Sequence, residues 1–205
     1  MTYRLAPLAL ALALVACDSN TTTITLDDRT SDPLPAPADA VALYTLGRAG
    51  ADTVSVQIAR VDAATARTTT RWDVGFQGPD VVLNSGASGP GAAVGFVTDR
   101  PFEAITRADA AAVPFRRDGE SACPEGPPRV VCPPGDSPFA LFRPTADGVE
   151  PIPGRTLVLR LGNALGFAKL QVLAYDAEVG TVTLRYLANP AGPRLEDGLV
   201  VTVDV

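Results

Sequence analysis

The chain has 205 residues, a formal net charge of -6 and no histidine. Its acidic balance, without any basic run or basic–aromatic interleaving, argues against a nucleic-acid interface. Without histidine no Ser–His–Asp or Cys–His nucleophilic centre can be built, and the few thiols cannot complete a four-coordinate zinc site.

The first 16 residues have the make-up of an export signal. Arg4 supplies a positive start, and residues 5–16 are almost all Leu and Ala, too short to span a bilayer. The run ends in Leu14-Val15-Ala16-Cys17, which looks like the lipobox of bacterial lipoproteins. Cys17 is therefore expected to carry lipid, the alternative being a plain secretory signal with an incidental cysteine. Several acyl chains on one cysteine anchor stably, because each buried methylene adds roughly 0.8 kcal/mol. The expected address is the bacterial cell envelope, at the outer membrane or cell surface, with the membrane itself a partner through the anchor. Residues 17–39 read as the lipidated cysteine and a flexible tether, threonine-rich and then proline-rich. The run 21–26 (TTTITL) could instead form an edge strand. Residues 40–205 read as one all-β domain.

Within that domain, residues 41–47 and 53–61 alternate as strands. Residues 62–70 are small and polar, a connection or a short helical turn. The stretch 71–91, RWDVGFQGPDVVLNSGASGPG, holds the only tryptophan. Its alternation puts Trp72, Val74 and Phe76 on one strand face. A turn at Gly78-Pro79-Asp80, a second strand at 81–83 and a glycine-rich loop follow. These glycines do not open a helix, so they are no phosphate cradle. Another strand is predicted over 92–98, and one or two helical turns over 107–112. Residues 114–153 are dominated by Pro, Gly and charge, a segment too long for a simple connection and of a length that tends to be functional or disordered. It contains Cys123 and Cys132, which in an exported chain are expected to form a disulfide worth ~2–3 kcal/mol by loop closure.

Strands are then predicted over 156–161, 167–175, 181–187 and 199–205. In 167–175, Phe167, Lys169, Gln171, Leu173 and Tyr175 share one face by alternation. Helical periodicity is nearly absent. The fold class is all-β, a single, mostly antiparallel sandwich or curled sheet.

Three stretches, in this order, resemble the HmuY family of bacterial lipoproteins: Trp72-Asp73-Val74-Gly75-Phe76 with Asn84-Ser85-Gly86, then Phe167-Ala168-Lys169-Leu170-Gln171, then Thr183-Leu184-Arg185-Tyr186. Ala42-Leu43-Tyr44 and a turn at Gly47 fit the family's early strand less specifically. The resemblance implies an all-β lipoprotein fold, with Trp72, Asp73, Phe76, Asn84, Gly86 and Lys169 as scaffold residues. The best-known members capture haem outside the cell through axial histidines or methionines. This chain has no histidine and its one methionine is Met1, so no axial ligand is carried over. Tyr44, Tyr175 and Tyr186 could ligate ferric iron in principle, but their strand-like settings favour core packing.

Asp73 and Lys169 both interrupt apolar runs. They are expected to approach each other or share a polar network, unless each lies on a solvated face. No spacing marks a catalytic carboxylate pair, and an enzyme is not expected. The functional expectation is a non-catalytic module for a small apolar ligand or an outer-membrane protein partner, with no cofactor. The alternative is haem capture without His or Met ligation. A wide apolar cleft beside the glycine loop would favour a ligand; a flat exposed apolar patch would favour a protein partner.

Overall fold

The computed structural model describes residues 21–25, 34–46, 55–105, 113–120, 123–124, 126–162, 166–189 and 200–203. Period-two alternation builds strands, and strands with one apolar face must stack. One five-stranded antiparallel sheet contains β1 (Thr21–Thr25), β3 (Val41–Thr45), β4 (Ser55–Val61), β5 (Val74–Gln77) and β6 (Asp80–Leu83), in the order β1-β4-β3-β5-β6. A second sheet contains β7 (Val94–Thr98), β10 (Thr156–Arg160), β11 (Phe167–Asp176), β12 (Thr181–Asn189) and β13 (Val200–Val203), in the order β13-β12-β11-β10-β7. The two-residue β2 (Leu34–Pro35) adds to β12. A separate hairpin pairs β8 (Phe142–Thr145) with β9 (Gly148–Pro151).

The main core unites the two sheets. Tyr44, Val74, Phe76, Val81 and Leu83 from the first share one buried cluster with Val97, Leu157, Leu159, Leu170, Val172, Leu184 and Tyr186 from the second. Tyr44 meets Phe76 edge-to-face at 5.4 Å. Burying each large side chain of this kind stabilises the fold by about 1.5–3 kcal/mol before entropy is counted.

Each sheet also carries a smaller cluster. Helix α1 (Ala63–Ala66) is capped by Asp62, whose carboxylate accepts from the amides of Ala64 and Thr65, both at 2.8 Å. Ala66 covers Val41, Leu43 and Trp72. On the second sheet, the short 3-10 turn Phe102–Ala104 supplies Phe102, which with Ile105 covers Val158, Phe167 and Leu187.

Several expectations are revised. Trp72 does not share a face with Val74 and Phe76. It precedes β5 and packs in the α1 cluster, while Val74 and Phe76 enter the main core. The stretch expected to be a tether supplies β1, paired with β4, and β2, paired with β12. Ala36 is fully buried, and its amide donates to Gly180 O at 2.6 Å. The folded unit therefore starts before residue 40. Inside the long Pro- and Gly-rich connection lies the β8–β9 hairpin, turned at Ala146-Asp147. Finally, the β11–β12 register shifts between Val172 and Ala174. That bulge spends one residue at Leu173, so Tyr175 leaves the face of Lys169 and Gln171 and packs edge-to-face on Phe142 at 5.7 Å. The signal peptide, Cys17, the turn at Gly47 and the turns expected over 107–112 lie outside the described residues.

Candidate functional site

Residues around the glycine loop converge on a polar hub. Asp73 Oδ2 accepts from Leu46 N at 2.9 Å, and Oδ1 accepts from Gly162 N at 2.8 Å. Its own amide donates to Tyr44 O at 2.7 Å. Asn84 is buried, and its amide group donates to Trp72 O (2.9 Å) and Thr70 O (3.1 Å) while accepting from Gly91 N (2.9 Å). The Trp72 indole donates to Thr69 O at 2.8 Å. Asp118 completes the arrangement from the far side of the loop. Its carboxylate accepts from Leu83 N at 2.8 Å and Val130 N at 2.9 Å, and its amide donates to Ser85 Oγ at 3.2 Å. Burial pushes the Asp118 carboxyl up despite these bonds.

The glycines here serve packing. Gly86 takes φ 54°, and a Cβ at that position would overlap the Asp118 carbonyl. Two small spaces touch the loop: one of about 80 Å³ lined by Thr45, Leu46, Trp72, Asp73, Leu161 and Gly91 among others, and one of about 130 Å³ that includes Ala87 and Ser88. Neither is a wide apolar cleft among the described residues. The side-chain groups of Asp73, Asn84 and Asp118 bond to backbone amides and carbonyls of the segments around them, as a scaffold does.

Lys169 belongs elsewhere. It is buried, and its ammonium donates to Phe102 O at 2.8 Å and Ile105 O at 2.6 Å, 4.4 Å from the centre of the Phe102 ring. Arg185 also sits 4.4 Å from that ring's centre and pairs with Glu103. The pairing expected of Asp73 and Lys169 is not formed. Among the described residues each charge meets backbone groups in a different place: the amides of Leu46 and Gly162 for the carboxylate, the carbonyls of Phe102 and Ile105 for the ammonium.

The tyrosines are structural. Tyr44 and Tyr186 are buried in the core, and burial holds both phenols protonated far above neutrality. Tyr175 is half-buried against Phe142.

A larger concavity opens at the disulfide loop. Cys123 and Cys132 are bonded, with Cα atoms 5.2 Å apart. Beside them lies a cleft of about 720 Å³ lined by Pro124, Gly126, Cys132, Pro133, Pro134, Gly135, Asp136, Ser137 and Pro138. Its walls are pinned from behind. Cys132 N donates to Phe139 O and Gly135 N to Phe142 O, both at 3.0 Å. The Arg155 guanidinium donates to Ser137 O at 2.9 Å and Ala140 O at 3.0 Å and pairs with Asp99 at 2.8 Å. Val130, inside the stapled loop, is held by Asp118.

Two features escaped the sequence reading. Residues 133–138 fall in the long Pro- and Gly-rich segment whose length marks it as functional or disordered, but nothing in them beyond their prolines marks a cleft wall. Asp118 was marked only by the Asp-Gly turn signal at 118–119, which says nothing of burial. Together the fold and this cleft define a two-sheet β-sandwich with a stapled, proline-lined surface site. No protein-family model matches the chain, and no curated protein matches it.

Proposed function

We propose that the protein is an exported, lipid-anchored, non-catalytic binding module of the HmuY-like type. Cys17 holds it at the cell envelope, and the cleft beside the Cys123–Cys132 loop takes a small apolar ligand. The observation that carries this is the cleft, about 720 Å³ in volume and walled by prolines whose backbone is pinned at Cys132, Gly135 and Ser137. That size falls in the range of small-molecule sites, ~300–1,000 Å³. The convergence of Trp72, Asp73, Asn84 and Gly86 on one hub supports the family likeness, since residues shared as a motif are expected to act together.

Haem capture fits less well. Among the described residues the cleft lining offers no imidazole, thioether or phenol. A protein-partner surface is also less favoured. The exposed large apolar residues among those described are Leu173 (45%) and Val179 (70%), too little for a docking patch.

The test is a fragment screen followed by amide NMR. Binders are expected to shift the amide resonances of Cys132, Gly135, Asp136 and Ser137, and hits confined to other surfaces would overturn the site. In a parallel titration, micromolar haem is expected to give no Soret shift. A saturating shift would move the reading to haem capture, with Tyr44→Phe, Tyr175→Phe and Tyr186→Phe separating ligation from insertion.

A further inference from the structure

We infer that the proline-lined cleft selects flat ring ligands that are neutral or cationic and discriminates against anionic ones; this rests on the binding-module reading above. The walls supply shape. Pro124, Pro133, Pro134 and Pro138 present rigid rings, which lose no side-chain rotamer freedom on binding. Their C–H surfaces complement the electron-rich face of an aromatic ring.

Charge supplies the selection. Asp136 is the one charged side chain among the described lining residues. The nearby cations are turned to other work. Arg129 reaches Asp80 at 3.3 Å and lines a different slot, across the stapled loop, with Arg67. Arg155 is engaged by Ser137 O, Ala140 O and Asp99. Arg116 lies 5.9 Å from the centre of the Phe139 ring, outside the lining. The whole chain, at a net charge of -6, adds to the negative field. A dianionic macrocycle such as haem would enter against that field.

Three fluorescent three-ring probes test this: cationic proflavine, neutral anthracenemethanol and anionic anthracene carboxylate. Each is titrated into the full-length protein in nanodiscs of zwitterionic lipid, with empty discs subtracted. Proflavine and the alcohol are expected to bind, and the carboxylate about tenfold more weakly or worse. Asp136→Asn should weaken proflavine by about threefold, as suits one exposed charge, and leave the alcohol unchanged. Gly135→Leu should abolish binding of all three, because Gly135 lines the cleft and a Cβ there meets only Pro133 O at 3.7 Å, so a leucine can be accommodated and is expected to take up cleft space. Trp72 emission and the unfolding midpoint report whether that variant folds; Pro134→Ser, which removes one ring from the wall, is the second variant and should weaken every probe.

A carboxylate that binds as tightly as proflavine, and is lost in Gly135→Leu, would overturn the charge selection and leave the cleft as the site. Probes that bind nowhere, or that ignore both cleft variants, would overturn the site and the selection together.

Discussion

Asp73 and Gly162 lie 89 positions apart in the chain, and the carboxylate of one accepts the amide of the other at 2.8 Å. The second oxygen of Asp73 accepts from Leu46, so one side chain ties the end of β3 to the turn after β10, across the two sheets. Both bonds need an acceptor. In Asp73→Asn one of the two amides would face an NH2 group. The variant is expected to lose about 1–3 kcal/mol, since a buried donor is left unmatched. Chemical denaturation checks this; unchanged stability would mean that water replaces the bond without cost.

Removing the staple should cost a similar amount. Cys123 and Cys132 are nine positions apart, and closing a loop of that length is worth ~2–3 kcal/mol in the chain-entropy model. Cys123→Ala with Cys132→Ala is expected to lower the unfolding midpoint. Hydrogen exchange should speed at Val130, whose amide donates to Asp118 from inside the stapled loop. Exchange unchanged at Val130 would show that Asp118 holds the loop unaided.

Asp118 makes a pH prediction with a definite sign. Burial raises its carboxyl above the ordinary aspartate range, so folding favours the protonated form. Its contribution is full below the unfolded value and is lost as pH rises through the raised folded value. Asp62 and Glu103 are lowered by their hydrogen bonds and act in the opposite direction, their contributions fading as pH falls. Comparison with Asp118→Asn removes that background. The stability gap between wild type and variant should narrow as pH rises through this window. A gap that widens would reverse the assignment.

Tyr186 offers a stabilising change. Its hydroxyl is buried and has no hydrogen-bond partner among the described residues. Tyr186→Phe removes a desolvated polar atom and keeps the ring. Stability should rise, by up to about 1 kcal/mol. A clear loss, read by thermal unfolding, would reveal a partner for the phenol.

Much of the fold was legible. β5, β6, β10, β11 and β12 follow from period-two alternation bounded by turn residues, because a strand facing a core on one side must alternate. No periodicity or spacing announces the convergence of Trp72, Asp73, Asn84 and Gly86, because the contacts that join them depend on how the loop folds back. The β8–β9 hairpin was hidden, since Pro144 and Pro151 argue against strands and are tolerated here because the hairpin belongs to neither main sheet. The Tyr175 face was misassigned because a bulge at Leu173 shifts the register by one residue, and no residue type announces it.

The sequence by itself determined the all-β class and the disulfide, because alternation and cysteine spacing are local properties of the chain. Tertiary structure alone decided which buried charge meets which partner. Asp73 and Lys169 looked like a pair by polarity, yet a carboxylate and an ammonium are each satisfied by whatever backbone groups the packing brings within reach. Tertiary structure also decided where the open space lies. A cleft is the gap that side-chain volumes fail to fill. Here the glycine loop, the segment most like a site in sequence, is packed tight against Asn84 and Trp72, while the proline-rich loop stands open.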